Sequence, residues 1–163
     1  MDAIKLLTQQ HREVEKLFEQ FEKLGDNAHK SKLQLCQKIS DALAVHAAIE
    51  EKIFYPATKD SRTEELLHEA VEEHLSAKRI IADLLEHDAI DDEAEAKISV
   101  LKEQVEHHVE EEEKQLFPKV RKMLDAERLE ELGEEMQEMA GELEAQGEPR
   151  MQVPNETGDA API

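Results

Sequence analysis

The chain has 163 residues, enough for one domain with a continuous core. Charged residues make up 37% of it and tryptophan is absent, and the abundance of Ala, Leu, Glu and Lys suits helices better than sheets. Its formal charge of −20 argues against a nucleic-acid partner and against anionic membrane surfaces, both of which would repel it.

The first predicted helix runs from about Asp2 to Leu24. Its apolar stripe is Ile4, Leu7, Val14, Phe18 and Phe21, with His11 in register, and Gly25-Asp26-Asn27 ends it. The second runs from about Ser31 to Phe54 on Leu35, Ile39, Ala42, Leu43, Ile49 and Ile53. His46 and Glu50 continue that stripe, and Pro56 is expected to end or kink the helix. Ser61-Arg62-Thr63-Glu64 reads as a capping box opening the third, whose stripe is Leu67, Val71, Ile81, Leu84 and Leu85. His74 lies on that stripe, and so does Lys78, for which exposure at the bundle edge is the favoured reading. Asp91-Asp92 starts the fourth, which carries Ile98, Leu101, Val105, Val109 and Leu116 on one face together with His108 and Glu112. A fifth, from about Asp125 to Glu144, presents Leu129, Leu132, Met136, Met139 and Leu143.

From Gly147 onward, several prolines and little apolar content predict a disordered tail. The expected organisation is therefore an all-α, up-down-up-down four-helix bundle over residues 1–125. An accessory amphipathic helix at 126–145 and a disordered tail at 146–163 follow it. The single cysteine, Cys36, has no internal disulfide partner, which fits a reducing compartment. No leader and no run of transmembrane length is visible, so the expectation is a soluble cytoplasmic protein, a monomer or weak homodimer.

Two stretches of the chain match each other. His46-Ala47-Ala48-Ile49-Glu50-Glu51-Lys52 leads to Pro56, and His108-Val109-Glu110-Glu111-Glu112-Glu113-Lys114 leads to Pro118. Each is preceded by a lone histidine, His11 or His74. Histidine and glutamate four apart share a helix face, so each pair can turn one nitrogen and one carboxylate inward. A carboxylate can bridge two cations, whereas a neutral imidazole binds one. Four histidines and two glutamates therefore suit two metal ions better than one, with a solvent-derived oxo or hydroxo bridge between them. Imidazole with carboxylate fits iron, and manganese, zinc and cobalt satisfy the same donors. Left empty, the site would bury two carboxylates among apolar side chains, a costly arrangement that metal relieves. His29, His68, His87 and His107 fall near helix ends or off the stripes and are not expected to join the core. Tyr55 is expected to pack beside Pro56.

These motifs resemble the hemerythrin-like HHE cation-binding family, over about residues 1–125. The resemblance implies a non-haem di-iron centre (Fe2+/Fe3+), with His11 and His46 on one iron, His74 and His108 on the other, and Glu50 and Glu112 bridging. It also implies dioxygen, peroxide or nitric oxide as the small ligand. Oxygen-carrying members have a second histidine four residues along the third helix, where this chain has Lys78. The centre is therefore expected to be more symmetric than theirs. Alternative readings are an enzyme that disproportionates or reduces hydrogen peroxide, and an iron or redox sensor that acts through a partner docked on the fifth helix.

Overall fold

A computed structural model describes residues 1–163. The first helix, α1 (Ala3–Glu22), is capped by Asp2, whose side chain accepts from the Lys5 N–H at 2.8 Å. Its predicted stripe, His11 included, is the buried face.

Helix α2 (His29–Ile49) does not stop at the motif. It passes through one π-helical turn, Glu50–Phe54, into α3 (Tyr55–Thr58). The second motif repeats this: α5 (Asp92–Glu111) runs through a π turn, Glu112–Leu116, into α6 (Phe117–Met123). In each copy the N–H of the aromatic residue before the proline reaches back five residues, Tyr55 to the Glu50 carbonyl and Phe117 to that of Glu112. A proline ring clashes with the carbonyl four residues earlier in a regular helix. The widened turn lets Pro56 and Pro118 pass without ending the helix.

Between the motifs lies α4 (Glu64–Leu85). The expected capping box does not form. Thr63 is the N-cap residue, and its hydroxyl donates to the Thr58 carbonyl at 2.6 Å and accepts from the Asp60 N–H at 3.0 Å. The side chain is spent on tying the preceding loop together.

Two apolar cores alternate with helix direction, which makes the bundle up-down-up-down. One gathers Leu7 of α1, Ile49 of α2, Val71 of α4 and Phe117 of α6. The other gathers Phe18, Ile39, Ile81 and Leu101 from the opposite ends of α1, α2, α4 and α5. Each motif histidine lies between these two sets along its own helix, so a polar layer separates the cores.

Helix α7 (Ala126–Ala145) covers the first core. Leu129, Leu132 and Met136 are buried there, against α1 and α2. The sequence reading of residues 147–163 is overturned. After a left-handed reversal at Gly147 and Glu148, residues Pro149–Glu156 form a 3-10 helix lying on α2 and α4. Val153 enters the second core at 2% exposure. Arg150 pairs with Asp41 at 3.0 Å, Glu156 with Lys78 at 3.0 Å, and Arg79 holds the Thr157 and Gly158 carbonyls. With Ala160, Ala161 and Ile163 packed against the first core and Lys59 donating to the Ile163 carbonyl at 3.1 Å, these contacts hold a segment whose own composition offers little to bury. No helix is long and apolar enough to cross a membrane.

The close approach of α7 to the start of α1 yields a prediction. A Cβ on Gly133 would lie 2.0 Å from the Met1 carbonyl oxygen and 2.9 Å from the Ala3 nitrogen, whereas one on Gly141 meets nothing within 4 Å. Gly133→Ala is expected to destabilise the fold by about 1–3 kcal/mol. Gly141→Ala, in the same helix, is expected to stabilise it by roughly 0.5–1 kcal/mol. Urea unfolding of the two variants reads both signs.

Candidate metal centre

The six side chains singled out in the sequence meet in the layer between the cores. His11, His46, Glu50, His74, His108 and Glu112 are all buried, Glu50 completely. They fall into two groups that could each hold a metal ion: His11 and His46 with Glu112, and His74 and His108 with Glu50. The carboxylates reach across both groups. Glu50 Oε1 lies 3.0 Å from His46 Nε2 and 3.2 Å from His74 Nε2. Glu112 Oε1 lies 3.2 Å from His11 Nε2 and 3.3 Å from His108 Nε2.

Every imidazole is oriented from outside by its other nitrogen. His11 Nδ1 lies 2.8 Å from Glu113 Oε2, and His74 Nδ1 lies 2.7 Å from Glu51 Oε2. His46 Nδ1 lies 2.7 Å from Gln10 Oε1, and His108 Nδ1 lies 2.9 Å from Glu73 Oε1. These partners are acceptors, so each Nδ1 carries the proton and donates, which leaves the Nε2 lone pairs pointing inward. The support follows the internal repeat. The residue after each inner glutamate serves the lone histidine of the other half. The residue before each lone histidine serves the motif histidine of its own half, Gln10 for His46 and Glu73 for His108.

The interior is consequently a cluster of acceptors. His74 Nε2 and His108 Nε2 stand 3.2 Å apart, and His46 Nε2 and both oxygens of Glu50 have no hydrogen-bond partner. Two buried carboxylates facing four lone pairs call for positive charge. Metal cations fit this donor set, and protons are the only substitute the chain itself offers.

The titration of the metal-free chain follows that logic. Burial pulls His108, His74 and His11 down, but Glu112, Glu50 and the outer carboxylates outweigh it, and all three rise above 6.5, His108 well above. Burial pushes Glu50 and Glu112 up, yet neighbouring imidazolium charge, His46 for Glu50 and His108 for Glu112, holds both below 4.5.

Two sequence readings are corrected at this site. Tyr55 does more than pack: its hydroxyl is fully buried and donates to Glu112 Oε2 at 2.7 Å, with His74 Nε2 and His108 Nε2 at 3.3 and 3.4 Å. Burial, then Glu112 and Glu50, push this phenol well above its ordinary value of 10, so it stays protonated. Lys78 does not snorkel to solvent. It is 7% exposed and donates to Glu51 Oε1 at 2.8 Å and Glu156 Oε1 at 3.0 Å. Burial lowers its pKa, but these two carboxylates outweigh that and hold it above 10.5. On the other side Arg12 pairs with Glu113.

Sequence reasoning missed Gln10, Glu51, Glu73 and Glu113 because a solvated acid and an orienting acid look alike in a chain this acidic. The available signal was the Glu-Glu doublet shared by both motifs. His107 stays outside at 63% side-chain exposure, next to Glu73 and Glu111, and the exposed His68 and His29 are likewise apart from the centre.

A family profile described as the hemerythrin HHE cation binding domain matches residues 2–120. Among solved structures, the crystal structure of a hemerythrin HHE cation binding domain-containing protein from Mycobacterium kansasii superposes with a TM-score of 0.75 at 23% identity. That match covers 95% of this chain and 98% of the other. No curated protein matches the chain in sequence.

Two predictions follow from the geometry. Glu113→Ala and Glu51→Ala, which remove only orienting acceptors, are expected to weaken metal binding about 10–100-fold. Lys114→Ala, on an exposed side chain, is expected to leave it unchanged, and chelator competition measures all three. The second concerns pH. Raised histidines contribute stability that is present below 6.5 and lost as pH rises through their folded values. Lowered carboxylates contribute stability that is present above 4.5 and lost as pH falls through theirs. Metal-free protein is therefore expected to be more stable at about pH 6 than at about pH 8.5. Metal affinity should run the other way, because the ion displaces those protons. Urea titrations in chelator and metal competition at both pH values test the opposed slopes, and parallel slopes contradict the assignment.

Proposed function

This chain belongs to the hemerythrin HHE cation-binding family, and on that premise we propose that it is a non-haem di-iron protein that binds dioxygen, peroxide or nitric oxide. His11 and His46 would hold one ion, His74 and His108 the other, with Glu50 and Glu112 shared. The observation that carries this reading is Glu50, wholly buried, with Oε1 3.0 Å from His46 Nε2 and 3.2 Å from His74 Nε2, between imidazoles of both halves. A carboxylate in that position is explained by cations on either side of it. Bound iron would supply Lewis acidity and redox electrons for a small oxygen or nitrogen ligand.

The remaining work belongs to the protein. The outer acceptors hold each Nδ1 proton and so keep each Nε2 basic. Lys78 and Arg12 neutralise Glu51 and Glu113, which prevents the outer carboxylates from adding uncompensated charge. Apolar cores close the layer above and below.

A second reading, disproportionation of two hydrogen peroxide molecules to dioxygen and two waters, is favoured by Tyr55. That reaction moves protons from one peroxide to the departing oxygen of the other. The Tyr55 hydroxyl holds a proton at the centre, 2.7 Å from Glu112 Oε2. The sensor reading loses its proposed surface, because the Leu and Met stripe of α7 is packed against this bundle.

Metal analysis tests the main reading. About two iron ions per chain are expected, with strong loss in His46→Ala and His108→Ala and none in His107→Ala. One ion per chain, or loss on removing His107 alone, overturns it. An oxygen electrode separates the two readings. Oxygen release from peroxide that falls in an iron-replete Tyr55→Phe variant supports the enzyme, and no release from the unmodified protein leaves binding as the function.

A further inference from the structure

A cavity of about 440 Å³ adjoins the centre, and the four ligand-candidate histidines line it. The 3-10 segment lies against it as well, through Pro149, Gln152 and Val153. Dioxygen, peroxide and nitric oxide are close to water in size, and water occupies about 30 Å³ of liquid. The space is therefore an order of magnitude larger than such a ligand needs, and falls within the roughly 300–1,000 Å³ usual for organic ligands.

Its shape comes from small side chains. Ala44 and Ala47 of α2 and Ala77 of α4 border it, where longer residues would fill the gap between the helices. Leu43, Ile81 and Val105 add aliphatic wall. Gln104, Gln146, Gln152 and Lys52 also line the cavity, but the stretch formed by these alanines and aliphatic side chains offers a sugar or nucleotide no hydrogen bond in return for lost hydration. An alkyl chain would gain from it. At the histidine end the balance is different. Two divalent cations with two glutamates and four neutral imidazoles carry a net charge of about +2, which favours an anionic oxygen donor.

We propose that this cavity binds a medium-chain aliphatic carboxylate, its head group at the metal-bearing histidines and its alkyl chain against Ala44, Ala77 and Val105. The head-group half of the proposal rests on the di-iron reading, and the alkyl half rests on the cavity walls. The ligand would enter under Pro149–Glu156, so the C-terminal segment forms part of the binding site as well as completing the second core.

The test is calorimetric titration of the full-length, metal-loaded protein with straight-chain carboxylates from acetate to decanoate, with metal content measured on every sample. Affinity is expected to rise about fourfold per methylene until the cavity is full, then level off. Ala44→Leu and Ala77→Leu, made separately, narrow the cavity without replacing a ligand-candidate side chain. Each is expected to weaken octanoate binding at least about tenfold, while acetate binding and metal content stay as in the unmodified chain. Affinity independent of chain length in the unmodified protein overturns the proposal without needing any variant. Unchanged octanoate binding in both folded, metal-replete variants overturns it as well. The di-iron reading fails separately, through the metal content. In that case a chain-length dependence that persists in chelator still establishes the alkyl site, and its absence rejects it.

Discussion

Six inward-facing acceptors closed between two apolar cores set the terms for the rest of this molecule. Four Nε2 lone pairs and two carboxylates converge in this buried layer, and Tyr55 brings the one neighbouring hydroxyl proton. Burying an ion without compensation costs several kcal/mol even after relaxation. Positive charge must therefore enter the layer, as metal or as protons on the histidines. The raised imidazole values and the lowered carboxylate values describe the second solution. Metal ions would carry more positive charge into the same space than protons on the histidines do. Metal bound at this cluster would link metal content to fold stability, because the unfolded chain holds no such cluster.

The surrounding ring answers the same constraint one step further out. A histidine that gives its Nε2 to a cation needs an acceptor at Nδ1, and three of the four acceptors are carboxylates. Two of these recruit their own cations, Lys78 for Glu51 and Arg12 for Glu113. Lys78 then reaches Glu156, so a chain of contacts runs from His74 through Glu51 and Lys78 to the C-terminal segment. The tail is ordered by the same electrostatics that organise the centre.

The internal repeat makes the inner donors symmetric, but the support is not. Gln10 stands where the other half has Glu73, so one motif histidine leans on an amide and the other on a carboxylate. Tyr55 stands where the other motif has Phe117, so Glu112 accepts a phenolic hydrogen bond while Glu50 accepts none. A ligand approaching the centre thus meets two inequivalent sides even though each group holds two histidines and one glutamate. The absence of a second inward-facing histidine on α4, where Lys78 stands four residues after His74, removes one source of asymmetry, and Tyr55 introduces another.

Helix periodicity and spacing were enough to place the bundle, the extra helix and the six inner donors, because each depends on residues a few positions apart on one helix. His46 and Glu50 share a face whatever surrounds them. The same local view foresaw that His107, about 100° around the helix from His108, would point away. Tertiary structure decided what depends on residues far apart in sequence. Lys78 is buried because Glu51 and Glu156 arrive from two other segments. Tyr55 reaches Glu112 because a π turn carries the helix through Pro56 instead of ending it. The last residues are held because Val153 finds a core built by other helices and Arg150 finds Asp41. A local pattern records which face a residue occupies, but hydrogen bonds and ion pairs need a partner, and only the folded chain brings those partners within reach.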